Sequence, residues 1–285
     1  MRFSVYQNSR VGGRKYNQDR VGYAYTDEAL LLVLADGMGG HLHGELAAEI
    51  TVNAYMQAFE QAAHPRIPDP EKFLSETMRE AHDAIVKFAQ EKQLGGNPGT
   101  TCVAALVQEG QVYWAHAGDS RIYLLRGGMA AAVTHDHSVV QQWADWGIIS
   151  TDEMKTHPER NKITNCLGGV GELFYAEPAA AIPLQSGDVL LLCSDGLWSP
   201  LIDAEIAAGF LIAPLEAGLN QMMDVSIARE GGRADNTTAV VARWGDGEEV
   251  KAAPVPVCKV LDLEEFESAS DILGRTRADM KPITD

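Results

Sequence analysis

Apolar residues in this chain repeat with two different periods. Short, nearly unbroken runs occur at Leu30 to Ala35, Cys102 to Val107, Val112 to Ala117, Arg121 to Leu125, Met129 to Val133, Val189 to Cys193 and Asn236 to Trp244. Bounded by turn residues, such runs predict buried strands. From Gly44 to Ala63 the spacing lengthens, with Leu46, Ala47, Ile50, Ala54 and Phe59 on one helical face before Pro65, Pro68 and Pro70. A second helix is predicted from about Pro70 to Lys92 and a third from Pro214 to Ala228. Turns at Glu109-Gly110 and Gly127-Gly128 predict that the strands between Cys102 and Val133 form one antiparallel meander. Strand-rich stretches flanked by helix pairs predict an α+β sandwich of antiparallel sheets.

The pattern also shows what leaves the core. Two of the runs end in Asp-Gly, as Asp36-Gly37 and Asp195-Gly196, Asp119 follows a third, and Asp235 precedes a fourth. A carboxylate at the rim of a core is costly unless paired, hydrogen-bonded or bound to a cation. Any one Asp-Gly is an ordinary turn pair. Four aspartates at four strand ends are a different matter, and an oxygen-only donor set suits hard divalent ions such as magnesium or manganese rather than zinc.

The 285 residues, 46% of them hydrophobic, suffice for one large domain. A net charge of -17 argues against nucleic-acid or anionic-membrane surfaces. No run approaches the roughly 20 apolar residues of a membrane helix, and no signal peptide is evident, so a cytoplasmic location is expected. Cys102, Cys166, Cys193 and Cys258 show no CxxC spacing and read as reduced core residues. Ser138 to Glu159 reads as two short helices of a small insertion, with Trp143 and Trp146 available to flank a substrate but expected to pack the insertion. Beyond Trp244 the composition turns to Gly, Pro and acids, which predicts a tail from Gly245 that is flexible or peripherally docked.

An ordered series of motifs now stands out. Arg14-Lys15-Tyr16-Asn17-Gln18-Asp19, Asp36-Gly37-Met38-Gly39-Gly40, Gly99-Thr100-Thr101, Gly118-Asp119-Ser120-Arg121, His135-Asp136-His137-Ser138, Ser194-Asp195-Gly196-Leu197 and Asp235-Asn236-Thr237-Thr238 follow one another along residues 1–244. In order and context this series resembles the metal-dependent PP2C-type (PPM) serine/threonine protein phosphatases in their compact bacterial form. The resemblance implies a four-layer αββα sandwich with a binuclear Mn or Mg centre at one end of two antiparallel sheets. It implies that Asp36 bridges the ions, that Gly37 gives its carbonyl to one, and that Asp195 and Asp235 complete the other. Gln18 and Asp19 would hold metal-coordinated waters. A third ion, held by some bacterial members, would take Asp119 and Asp195. Residues 138–162 would be a flap and 245–285 an acidic tail.

The activity so implied is hydrolysis of phosphoserine and phosphothreonine on proteins by in-line attack of a water bridging two ions, opposing a bacterial Ser/Thr kinase that is itself among the substrates. Such a water needs no Ser or Cys nucleophile, and the Arg14 guanidinium suits bidentate phosphate binding. A monomer is expected.

Two positions depart from the pattern. Met38 replaces a histidine that serves many eukaryotic members as general acid, leaving His41, His43 or a coordinated water as substitutes. Gln18 replaces a glutamate, which removes a charge and predicts somewhat lower metal affinity. His135-Asp136-His137 invites a zinc reading, but adjacent ligands do not share one face, and a turn closing the meander is expected instead. The alternatives are a pseudophosphatase acting as a binding module, against which the full aspartate set argues, and a haloacid-dehalogenase-type phosphatase, whose Asp-x-Asp strand end is absent.

Overall fold

A computed structural model describes residues 1–38, 43–94, 96–169, 181–249 and 256–261. Strands β1 (Arg2–Arg10), β2 (Asp19–Tyr25) and β3 (Ala29–Met38) lead into helices α1 (Gly44–Ala62) and α2 (Pro70–Glu91). Next come β4 (Gly99–Thr100), β5 (Cys102–Gln108), β6 (Gln111–Ala117), β7 (Arg121–Arg126) and β8 (Met129–Val133), then α3 (Val139–Asp145) and α4 (Thr151–Met154). The rest is β9 (Leu167–Gly168), β10 (Ile182–Pro183), β11 (Val189–Cys193), α5 (Asp195–Trp198), α6 (Asp203–Gly209), α7 (Leu215–Glu230), β12 (Thr237–Glu249) and β13 (Val257–Val260).

One sheet runs β1-β12-β11-β7-β8 and the other β10-β6-β5-β3-β2-β13, with β4 and β9 added beside β3. The β3 sequence explains why this must be a stack. Leu31, Val33 and Ala35 join the core under α1 and α2, whereas Leu30, Leu32 and Leu34 join the core between the sheets. A strand apolar on both faces needs cover on both. A third core, including Leu191, Val241, Leu219 and Met223, lies between the other sheet and α5 to α7. The layers are therefore helix, sheet, sheet, helix.

Helix α2 opens on Asp69, whose side chain accepts from the Lys72 N–H at 3.1 Å, with Pro70 at the first helical position. The segment from Ser138 onward returns on itself: Ser138 pairs with Ile163 across an isolated bridge, and the Val139 N–H donates to the Lys162 carbonyl at 2.9 Å.

Three expectations need correction. The predicted meander is not one sheet, because β5–β6 and β7–β8 are hairpins of different sheets. Gly118, at φ 103° and packed on Thr101, starts a passage of hairpin length that instead carries the chain from one sheet to the other. Strand β12 also continues past Trp244 to Glu249, and Val257–Val260 pair with β2 as an edge strand, so the sheets draw on residues beyond 245. Finally, Cys102 and Cys193 are buried, but Cys166 is only half-buried and Cys258 is exposed, as is Trp146. Gly39, Gly40, His41 and residues 262–285 lie outside the described residues.

Candidate metal centre and active site

The expected site residues meet where the two sheets end together. Asp36 lies near the end of β3 and stands directly opposite Asp19 of β2 in the strand register. The Gly99-Thr100-Thr101 motif fixes the Asp36 backbone: the Thr101 N–H and the Thr100 hydroxyl both donate to its carbonyl, at 2.8 and 2.9 Å, and its N–H donates to Thr101 Oγ1 at 3.0 Å. Thr101 Oγ1 is in turn 2.8 Å from Ser120 Oγ, which ties Asp36 to the passage carrying Asp119.

From the other sheet, Asp195 starts α5 straight after β11, and Asp235 precedes β12. These two turns fit closely, since a Cβ on Gly196 would lie 2.1 Å from the Asn236 carbonyl oxygen. Asn236 is the fastener for the Arg14 loop. Its amide donates to the Val11 and Tyr16 carbonyls at 2.9 and 3.0 Å, and its Oδ1 accepts from the Gln18 N–H at 2.8 Å.

The electrostatics follow from this convergence. Burial first, then the charges of Asp19, Asp195, Asp119 and Asp235, push the Asp36 carboxyl well above its usual range. Asp195 is pushed up in the same way by burial and by Asp119, Asp235 and Asp19. Asp19 and Asp119 are each pushed up to about 6, with burial the leading cause. Five carboxylates thus repel one another, and Arg14 Nη2 donates to one of them, Asp235 Oδ2, at 2.5 Å.

The donor set fits a divalent ion. Asp19 is fully buried, its Oδ2 accepts from Ser194 Oγ at 2.9 Å, and its Oδ1 has no partner among the described residues. A buried carboxylate oxygen without a partner is costly, and a divalent cation or its hydration shell removes that cost. Among the described residues no three His, Cys, Asp or Glu side chains are already gathered around one point, and Asp235 is turned to Arg14 instead.

Arg14 lies on an exposed loop against Asp235. Gln18 sits beside the cluster with its amide toward Glu45. The 135–137 motif is structural: Arg121 grips Asp136 with two hydrogen bonds of 2.8 Å, and His137 Nδ1 accepts from Asn165 at 3.0 Å. Trp198 and Glu45 were not anticipated. Trp198 Nε1 donates to the Asp119 carbonyl at 2.9 Å while Arg121 stacks on its ring, and only the tertiary fold reveals this. Glu45 reads in sequence as an ordinary first-turn acid of α1. A cavity of about 530 Å³ opens beside Asp119 and Asp195, walled by Trp198, Met154, Lys155 and Arg160.

Residues 7–230 match the sequence model of the protein phosphatase 2C family. The chain belongs to that family. A serine/threonine phosphatase, stp, of Listeria innocua is 34% identical over 232 residues, spanning 80% of this chain and 90% of that protein. The solved Mycobacterium tuberculosis phosphatase PstP/Ppp superposes with a TM-score of 0.73 at 32% identity, over 85% of this chain and 98% of that one. The catalytic domain of PstP in complex with two manganese ions gives 0.70 at 31% identity, over 85% and 97%. This PP2C protein is accordingly a serine/threonine protein phosphatase with phosphoproteins as substrates. Its sheets and helices form the PP2C sandwich. No helix among the described residues is long and apolar enough to cross a membrane.

Proposed function

We propose that this phosphatase holds two divalent ions, manganese or magnesium, on Asp36, Asp195, Asp235 and the Gly37 carbonyl, with Asp119 and Asp195 available to a third. The observation that carries the reading is the Asp19 Oδ1, without a partner among the described residues, inside a group of mutually repelling aspartates. Bound there, such ions supply a Lewis acid for the phosphoryl oxygens and a water nucleophile of lowered proton affinity.

The protein's own groups do the rest. Ser194 and the β2–β3 register hold Asp19 facing Asp36, and Asn236 and Gly37 hold the Gln18 backbone beside them. Arg14 is more than half exposed on its loop, so it can exchange Asp235 for a substrate phosphate and bind it bidentately. The cavity between Trp198 and the 138–162 flap seats polypeptide next to the phosphorylated residue. Met38 has no proton to give the leaving alkoxide, so that role falls to His41, to a coordinated water or to His43, whose Nδ1 is 3.3 Å from Glu45 Oε1.

In the cell we place the enzyme in the cytoplasm as a monomer that reverses a Ser/Thr kinase, with the kinase among its substrates. The test is phosphate release from a phosphothreonine peptide with excess manganese. Folded protein that releases none overturns the enzyme reading. Retained binding of manganese and peptide in that same protein would establish the pseudophosphatase instead.

A further inference from the structure

Gln18 stands where the family resemblance places a glutamate, and its surroundings show how an amide can serve there. Its backbone is fixed on both sides, the N–H donating to Asn236 Oδ1 at 2.8 Å and the carbonyl accepting from the Gly37 N–H at 3.2 Å. What is left to set is the side chain. Nε2 donates to Glu45 Oε2 at 3.4 Å, and among the described residues none donates to the amide oxygen. Because a carboxylate only accepts, the amide end that faces Glu45 must be the NH2 end.

Glu45 is itself held. Its Oε1 lies 3.3 Å from His43 Nδ1, and it sits in the first turn of α1, where the helix dipole favours an anion. Burial works to raise its pKa, but hydrogen bonds from His43, its own backbone N–H and Gln18 hold it below the ordinary value. The helix end cannot drift from the site. A Cβ on Gly44 would lie 2.7 Å from the Gly37 carbonyl carbon and 2.8 Å from Gln18 Nε2.

We propose that Glu45 is a positioning residue for the metal centre: it turns the Gln18 amide oxygen toward the aspartates and supplies, one hydrogen bond away, the charge that glutamine lacks. The inference rests on the two-ion site proposed above. It also explains how the centre tolerates glutamine at position 18, since the acceptor is kept and the anion is moved back to α1.

The test is calorimetric titration of Mn2+ into wild type, E45Q, the exchange variant Q18E/E45Q and D36N, with thermal melts in EDTA as a check of folding. Arg20 retains Glu49 as a counter-charge in E45Q, so the variant is expected to fold. Loss of a group hydrogen-bonded to a metal ligand typically weakens affinity about 10–100-fold, and E45Q, which acts one hydrogen bond further out through Gln18, is expected to lose about 10-fold, the low end of that range. Q18E/E45Q should recover to within about 3-fold of wild type, since the charge returns and the amide introduced on α1 can donate to the carboxylate introduced ahead of Asp19. Wild-type affinity in E45Q overturns the role of Glu45. Weakening that the exchange variant fails to recover also overturns it, because that is what a merely structural glutamate gives. Wild-type affinity in D36N overturns the metal centre itself.

Discussion

Buried aspartates in this protein live under two regimes only a few residues apart. Asp136 and Asp188 are buried at opposite ends of β7, and each is gripped in bidentate fashion by an arginine of that strand, Arg121 at 2.8 and 2.8 Å and Arg126 at 2.8 and 2.6 Å. Asp19, Asp36, Asp119 and Asp195 crowd the neighbouring sheet ends without the bidentate arginine grip that holds Asp136 and Asp188, and Arg20 donates to the Asp19 backbone carbonyl at 2.8 Å. The first regime closes its charge within the fold. The second leaves its charge for a ligand, at a cost in stability that an Arg partner would have removed.

The sharpest way to break this comparison is to remove an uncompensated aspartate and look at activity. D36N should lower kcat/KM on a phosphothreonine peptide by about 10⁴-fold, the scale of several kcal/mol of metal-assisted charge stabilisation. The same variant should melt at a higher temperature than wild type in EDTA, because one repelling charge is gone. A variant that loses activity and also stability would place Asp36 in the compensated class.

Removing a partner from the other class should do the reverse. Arg121→Met leaves Asp136 buried without its cation and strips the cation from the Trp198 ring. The loss expected is about 3 kcal/mol by denaturant titration, at the low end for a broken buried pair because Arg121 keeps some solvent contact. Third in size is Mn2+ itself. At 100 times its Kd it should stabilise the wild type by about 2.7 kcal/mol and leave D36N unmoved, which a melt with and without EDTA reads directly.

How much of this was legible in the sequence depends on the kind of information needed. The four aspartates were visible because strand ends are local, and β3 could be read as a central strand because both of its faces are apolar. The crossing at Gly118 was not legible. A turn of two or three residues looks the same whether the next strand pairs back or changes sheets, and only the packing of Gly118 on Thr101 decides it. Likewise the edge strand Val257–Val260 is mostly exposed and pairs through its backbone, and its few apolar residues, following Pro254 and Pro256, read in sequence as part of a tail. Trp198 and Glu45 act through contacts to residues far away in sequence, which no spacing encodes.

The smallest effect is the most diagnostic, because its sign differs between the two regimes. An aspartate bound to an arginine is ordinarily stabilising above its unfolded pKa, and that stability is lost as pH falls. Asp19 and Asp119 run the other way, with pKa values pushed up to about 6 in the fold against an ordinary 3.8. Above pH 6 both are charged in either state and the folded protein bears the full penalty. Below about pH 4 both are protonated in either state and the penalty is gone. Between these limits the folded state binds more protons than the unfolded one, so in EDTA the contribution of this cluster to stability should grow as pH falls from 6 to 4. Asp36 and Asp195, displaced upward as well by burial and by their neighbours' charges, act in the same direction. With saturating Mn2+ the slope should invert, since bound metal requires ionised carboxylates. Denaturant titrations of wild type and D119N at pH 4, 5, 6 and 7 in EDTA isolate the contribution. D119N should show a shallower gain on acidification, and equal slopes in the two proteins would mean that Asp119 is compensated after all.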